Sequence, residues 1–342
     1  MSQAAALKSP RPYSPTPAPG AAASSRFSFA MLSHPGRVRH VNQDACAALP
    51  ERAAFVVCDG VGGAAGGEVA SHLAVEAFLN ALSRSEAAST PSSKTRPAAN
   101  SDSDSEDPHH PHARLHEAVR SANRAVFERA QKSRSLRGMA TTLVAALLDP
   151  VAGSLDPTAA LLDHTTALPN GVTTPQQAAP ECLTLWLTHV GDSRCYRLRR
   201  DGDVAALTLL TRDHSLVEEQ VRAGLLSRVQ AECSPVRNVI TRAVGSVDTV
   251  EPEIAAHPIQ PGDLYLLASD GLTRELNDDA IARLLTDSLA RTPTTAHSSP
   301  SPVSPSASLE PAALDAAAHA LIDAANAHGG RDNITVLLIA CR

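Results

Sequence analysis

Aspartates recur in this chain where apolar runs end. Asp59 follows Ala53–Cys58, Asp270 follows Leu264–Ala268 and Ser269, and Asp192 follows Leu183–Val190 and Gly191. Asp332 stands just before Ile334–Ala340, and Asp44 lies in the turn-like Asn42-Gln43-Asp44. The end of a strand fixes its backbone, so a carboxylate there can be held as tightly as a metal site demands. Hard oxygen ligands of this kind select Mg²⁺ or Mn²⁺ over Zn²⁺. Any one Asp-Gly is more often a turn than a ligand. Asp201-Gly202 separates two strand-like runs and reads as a hairpin turn. Asp59-Gly60 and Asp270-Gly271 differ, because a helix or loop follows each rather than a returning strand.

The elements that must carry these residues are legible as apolar patterns. Strands are predicted at Ala53–Cys58, Thr142–Leu148, Leu183–Val190, Cys195–Leu198, Val204–Leu210, Leu264–Ala268 and Ile334–Ala340. Most are nearly continuous in apolar residues rather than alternating, which implies cover on both faces. Helical spacing marks Glu68–Leu82 and Arg114–Lys132, where Leu115, Ala118, Val119, Ala122 and Val126 form one stripe. Further helices are expected at Leu216–Ala231, Asp278–Ser288 and Pro311–Ala327. Strands and helices in separate blocks point to an α+β fold with packed sheets.

Composition narrows the function classes. Lys and Arg number 30 against 36 Asp and Glu, a net charge of −6, which argues against a nucleic-acid binder and suits a site that attracts cations. The six cysteines form no C-x-x-C pair and read as reduced thiols. No run approaches the ~18 apolar residues of a membrane span, and residues 1–26 lack the apolar centre of a signal peptide, so the cytoplasm is expected. Residues 1–27, rich in Pro, Ala and Ser, are predicted to be a disordered tail. One domain is expected over 28–342, with low-complexity insertions near 83–112, 149–180 and 291–311. The insertion with the SDSDSED run and the tract His109-His110-Pro111-His112 is read as a solvated loop rather than a metal site.

The motifs, taken in order, resemble those of the PPM or PP2C protein phosphatases in their bacterial style. They are Arg39-His40-Val41-Asn42-Gln43-Asp44, Val57-Cys58-Asp59-Gly60-Val61-Gly62-Gly63, and Gly138-Met139-Ala140-Thr141-Thr142. Val190-Gly191-Asp192-Ser193-Arg194, Asp213-His214-Ser215 and Ile240-Thr241-Arg242-Ala243-Val244-Gly245 follow. Ala268-Ser269-Asp270-Gly271-Leu272 and Gly330-Arg331-Asp332-Asn333-Ile334-Thr335 complete the set. Each motif alone is weak; the ordered set is specific.

The resemblance implies a β-sandwich of two antiparallel sheets flanked by helices on both sides. It implies a Ser/Thr phosphatase acting on phosphorylated proteins, opposed to a bacterial Ser/Thr kinase, without membrane attachment and expected to be monomeric. Asp59 would bridge two Mn²⁺ or Mg²⁺ ions, with the Gly60 carbonyl also on a metal, and Asp44, Asp270 and Asp332 would complete the binuclear site. Asp192, with Asp270, would hold a weaker third ion. Arg39 falls at the family's phosphate-binding arginine, where its planar fork could clamp phosphate oxygens. Two such cations would activate a bridging water for in-line attack on phosphorus. Several carboxylates sharing one cavity make little sense as bare structure.

The resemblance also has gaps. Val61 stands where many eukaryotic members carry a histidine proposed as general acid. His40 and His214 are candidates for that task, though supporting roles are expected for both. Ser215–Arg237 corresponds to a mobile flap, where Glu218, Glu219 and Arg222 could touch substrate or simply form a solvated face. Two other functions compete with a phosphatase. Gly60-Val61-Gly62-Gly63-Ala64-Ala65 satisfies G-x-G-x-x-A, the fingerprint of a dinucleotide-binding oxidoreductase, but Asp59 would set a negative charge beside the pyrophosphate. A catalytically silent phosphoprotein-binding relative would be expected to lack one of the carboxylates, yet Asp44, Asp59, Asp270 and Asp332 are all present.

Overall fold

A computed structural model describes residues 26–61, 66–84, 107, 109–150, 183–202, 204–290 and 310–342. Gly62, Gly63 and nearly all of the tail and insertions predicted above lie outside the described residues. The strands are β1 (Phe27–His34), β2 (Asp44–Leu49), β3 (Ala54–Val61), β4 (Ala140–Thr141), β5 (Leu143–Pro150), β6 (Leu183–Val190) and β7 (Arg194–Asp201). They continue with β8 (Val204–Leu209), β9 (Glu253–Pro258), β10 (Leu264–Ala268) and β11 (Ile334–Cys341). The helices are α1 (Gly66–Arg84), α2 (Pro111–Lys132), α3 (Leu216–Arg222), α4 (Arg228–Glu232), α5 (Asp270–Thr273), α6 (Asp278–Ala290) and α7 (Pro311–Ala327).

Strand β3 is apolar from Ala54 to Cys58 because each of its faces meets a different core. Phe55 and Val57 enter a layer between two sheets, beside Val144, Leu187, Tyr265 and Leu337. Ala54, Val56 and Cys58 face the other way, onto Phe78, Leu82, Leu115 and Val119 of α1 and α2. Strand β11 is divided likewise: Leu337 and Ile339 point between the sheets, whereas Val336 and Leu338 pack with Leu314, Leu321 and Leu285 of α6 and α7. Side chains alternate across a strand, so a strand between two cores needs apolar residues at every position.

One sheet runs β1-β11-β10-β7-β8 and the other β2-β3-β5-β6-β9, with β4 added on β3. Every pairing is antiparallel. The result is an α+β sandwich of two sheets with helices outside both, as the motif resemblance implied.

Several elements differ from the sequence reading. Strands β1, β2, β4 and β9 were not predicted; β2 is Asp-Ala-Cys-Ala-Ala-Leu and β9 is Glu-Ile-Ala-Ala-His-Pro, both poor in the β-branched and aromatic residues that mark strands. The helix predicted over Leu216–Ala231 is two short helices. Gly224 adopts φ +71, which ends α3, and Ser227 with Gln230 forms a capping box that starts α4. The Asp201-Gly202 turn does join β7 to β8, with Gly202 at φ +59.

Candidate active site

The two sheets end their central strands at one edge of the sandwich, and the aspartates gather there. Asp44 opens β2 directly opposite Asp59 on β3. Around Asp59 the backbone is held from three directions. Its N–H donates to Thr142 Oγ1 (3.0 Å), and its carbonyl accepts from Thr142 N (2.8 Å) and Thr141 Oγ1 (2.8 Å). The Gly138–Thr142 motif thus clamps the end of β3 through β4, a firmer task than the packing role expected for it. A Cβ at Gly60 would stand 2.7 Å from the Gln43 carbonyl and closer still to that of Gly67, so only glycine fits this crossing.

Asp270 opens α5 immediately beyond β10, with Ser269 at the N-cap. The Ser269 hydroxyl reaches across to Asp44 Oδ2 (2.8 Å), and Thr335 of β11 donates to the same oxygen (2.7 Å). Asp332 lies in the loop before β11 and accepts from Arg39 Nη2 (2.8 Å). Asn333 ties that loop to the one carrying Arg39. Its Oδ1 accepts from Gln43 N (2.8 Å), and its Nδ2 donates to the carbonyls of Pro35 and Val41 (3.0 Å each). Asp192 sits in the β6–β7 turn after Gly191, which adopts φ +106.

Arg274, one helical turn past Asp270, joins the group. Its Nη2 forms an ion pair with Asp270 Oδ2 and lies 3.7 Å from Asp192 Oδ2, while Nη1 lies 3.7 Å from Asp332 Oδ2. Asp44, Asp59, Asp192, Asp270 and Asp332 are therefore brought together as the sequence reading required. Ser269, Thr335, Asn333 and Arg274 were not given roles by it. The only signal for the first two was a hydroxyl interrupting an apolar run.

The electrostatics are those of crowded, desolvated acids. Burial pushes Asp44 and Asp270 up to about 6 and Asp192 up to about 7. Asp59 is raised well above the carboxylate range, first by burial and then by the charges of Asp44, Asp270, Asp192 and Asp332. Among the described residues, Asp44 Oδ1 and Asp270 Oδ1 are buried without a hydrogen-bond partner. Unpartnered buried carboxylate oxygens are costly unless a cation meets them. The donor set is all oxygen, which suits Mg²⁺ or Mn²⁺.

The histidines do not belong to this cluster. His40 is exposed on the Arg39 loop. His214 is buried behind the Asp192 turn, where Nδ1 accepts from Gly191 N (3.1 Å) and Nε2 faces Glu253 Oε1 (3.3 Å). Burial, with His189 and Arg242 close by, pushes His214 down to about 4, so it holds no imidazolium proton near neutrality. His189, stacked on it at 4.8 Å, bonds the Arg212 carbonyl (2.8 Å). With these nitrogens engaged and Arg242 Nη1 3.4 Å from His214 Nε2, the His189–His214–Glu253 group reads as a hydrogen-bonded brace, not a metal site. Arg194 binds Asp213 through Nε (2.9 Å) and Nη2 (2.7 Å), not its near neighbour Asp192. In the segment corresponding to the flap, Glu218 pairs with Arg228 (2.7 Å), tying α3 to α4, and Arg222 is exposed.

Residues 36–155 match the family model described as Protein phosphatase 2C. A 2C-type protein of Streptococcus pyogenes is 35% identical over 169 residues; the alignment takes in 49% of this chain and 57% of that protein, little more than half its length. The serine/threonine phosphatase stp of Listeria innocua is 28% identical over 307 residues, covering 89% of this chain and 92% of that one. The crystal structure of the Mycobacterium tuberculosis serine/threonine phosphatase PstP superposes with a TM-score of 0.62 at 29% identity, covering 92% of this chain and 98% of that chain. A structure of the PstP catalytic domain in complex with manganese ions gives a TM-score of 0.59 at 28% identity over the same shares. Over most of its length the chain is thus similar to bacterial-type protein phosphatases 2C. These full-length relatives are themselves named serine/threonine phosphatases.

Proposed function

We propose that Asp44, Asp59, Asp270 and Asp332, with the Gly60 carbonyl, hold two Mn²⁺ or Mg²⁺ ions for hydrolysis of phosphoserine and phosphothreonine monoesters. The observation that carries this reading is the convergence of these acids at a largely desolvated sheet edge, where Asp44 and Asp270 each keep a buried oxygen without a partner. It is supported by the manganese ions of the PstP structure. When bound, the cations supply Lewis acidity that makes water a competent nucleophile near neutral pH.

The chain's own residues do the rest. Asp59 is fixed by Thr141 and Thr142, and Asp44 by Ser269 and Thr335, so the carboxylates need little rearrangement to accept cations. Arg39 is half exposed at the rim, where it can leave Asp332 to bind a phosphate dianion. With His214 unprotonated behind the site and Val61 in place of a histidine, the leaving oxygen takes its proton from water.

The enzyme acts in this reading as a monomer opposite a cognate Ser/Thr kinase, which must install the phosphate it removes. The described cysteines Cys46, Cys58, Cys195, Cys233 and Cys341 are unpaired, which supports work in the reducing cytoplasm. No helix among the described residues is long and apolar enough to cross a membrane. A silent phosphoprotein binder is disfavoured because every expected carboxylate converges. The dinucleotide-binding reading fails on topology: the strands beside β3 are antiparallel, so there is no parallel βαβ unit to cradle a pyrophosphate.

The test is turnover of a phosphothreonine peptide with Mn²⁺ or Mg²⁺ and after chelation. Activity should require the ion, and undiminished turnover in excess EDTA would rule the reading out.

A further inference from the structure

Every acid of the cluster carries a demand for positive charge, but the chain answers that demand unevenly. Among the described residues no lysine or arginine ion pair is made by Asp44 or Asp59: the Asp44 carboxylate is held by the Ser269 and Thr335 hydroxyls, and Asp59 is fixed through its backbone. On the other side a single guanidinium serves Asp270, Asp192 and Asp332 together. Arg274 caps the C-terminal end of α5, and its N–H donates to the carbonyl of Asp270 (2.8 Å), so the helix turn that positions Asp270 also positions Arg274. Asp270 is thereby divided: Oδ2 is committed to Arg274, and Oδ1 is buried without a partner.

From this arrangement we infer that Arg274 is a tethered cation standing between Asp192 and Asp270, where the motif resemblance implied a weak third metal ion. The inference rests on the two-cation reading above and restricts it to two ions. A guanidinium is a fixed positive charge on a planar fork. A divalent ion entering beside it would meet like-charge repulsion and would lose an oxygen of Asp270 already engaged. Asp192, held by the Gly191 turn and by the Ser193–Thr142 hydroxyl contact (2.7 Å), then serves as the far anchor of Arg274 rather than as a metal ligand. Arg274 is a positioning residue: it holds Asp270 and Asp332 in place without adding a mobile ion.

The experiment is a Mn²⁺ titration of the full chain, read by calorimetry and by the EPR signal of free Mn²⁺. Wild type, Arg274→Gln and Arg274→Ala are compared, each first checked for folding by circular dichroism. Arg274→Gln removes the charge while keeping a polar side chain of intermediate length, and so guards against a collapse specific to alanine. Wild type should take up two ions. Arg274→Gln should bind a third at least ~10-fold more tightly than wild type does, since an opposing unit charge a few ångströms away is gone. Adding Asp192→Asn to Arg274→Gln should abolish that third ion, while Asp192→Asn alone should leave the count of two unchanged. Three ions in wild type, or an unchanged count in both Arg274 variants, would overturn the inference and leave the phosphatase reading standing. Failure of wild type to bind any ion would instead sink the two-cation reading, and this inference with it.

Discussion

Asp44 and Asp59 are register partners across the antiparallel β2–β3 ladder, so their carboxylates project from the same face of one sheet. Like charges directly opposite destabilise a ladder; here Asp44 is buried and Asp59 partly so. A fold that keeps such a pair must recover the loss on binding a cation. Replacing Asp59 by Asn keeps the shape and removes one charge. Phosphopeptide turnover of Asp59→Asn should fall by more than ~100-fold, beyond the usual loss for a mere neighbour of a ligand. Its metal-free melting temperature should hold or rise. Near-normal turnover would contradict the place given to Asp59.

The same repulsion sets a pH dependence. In the metal-free fold Asp44 and Asp270 sit at about 6 and Asp192 at about 7, against 3.8 for a free aspartate. The folded state therefore binds more protons than the unfolded chain between those values. Its stability is greatest at the acid end of that window and falls as pH rises through 6 to 7. Cations compete with the same protons, so Mn²⁺ affinity should climb as pH rises. Denaturant melts of metal-free protein at about pH 5 and about pH 8 should show the lower stability at the higher pH, with Mn²⁺ restoring it there. Equal stabilities at both would remove the buried acids as its cause.

The strand ends were legible in the sequence because each acid follows or precedes a long apolar run: Asp59 after Ala53–Cys58, Asp270 after β10, Asp332 before β11. The sandwich was legible for the same reason, since runs such as Ile334–Ala340 admit no solvent face. What stayed hidden depends on contacts across hundreds of residues. Nothing local to Thr335 or Ser269 reveals that both donate to Asp44, and nothing in Asn333 reveals that it staples the Arg39 loop. Arg274 lies one turn from Asp270, a spacing readable in a helix, but α5 is too short to show a helical pattern. Strand β2, rich in alanine, gains its place from pairing with β3 rather than from propensity.

Thr335 offers a test of how Asp44 is held. It lies fully buried, and its hydroxyl meets both Asp44 Oδ2 and Ser33 Oγ (2.6 Å). Thr335→Val preserves the branched shape and removes the donor, leaving Ser269 alone on that oxygen. The carboxylate should then bind its proton more tightly, weakening Mn²⁺ binding by about 10- to 100-fold. The pH at which Mn²⁺ binding is lost should move upward. Thr335→Ser should restore both, which a loss of packing alone would not allow. An unchanged titration in Thr335→Val would show that the hydroxyl does not tune Asp44.

Arg39 differs from Arg274 in exposure and in commitment. Its side chain is 51% exposed and holds Asp332 at the rim through one nitrogen, whereas Arg274 reaches three acids at once. A lightly held, exposed guanidinium can exchange its carboxylate for an incoming phosphate with little loss. Arg39→Ala should then raise KM for a phosphopeptide by about 10- to 100-fold, the worth of a hydrogen-bonded charge pair, with kcat little changed. Arg39→Lys should recover only part of that, because an ammonium lacks the planar fork that meets two phosphate oxygens together. Steady-state kinetics on both variants separates ground-state from transition-state binding. A fall in kcat with KM unmoved would mean that Arg39 grips the phosphoryl group only as the bond breaks, and the rim position seen here would then have to close over the substrate during turnover.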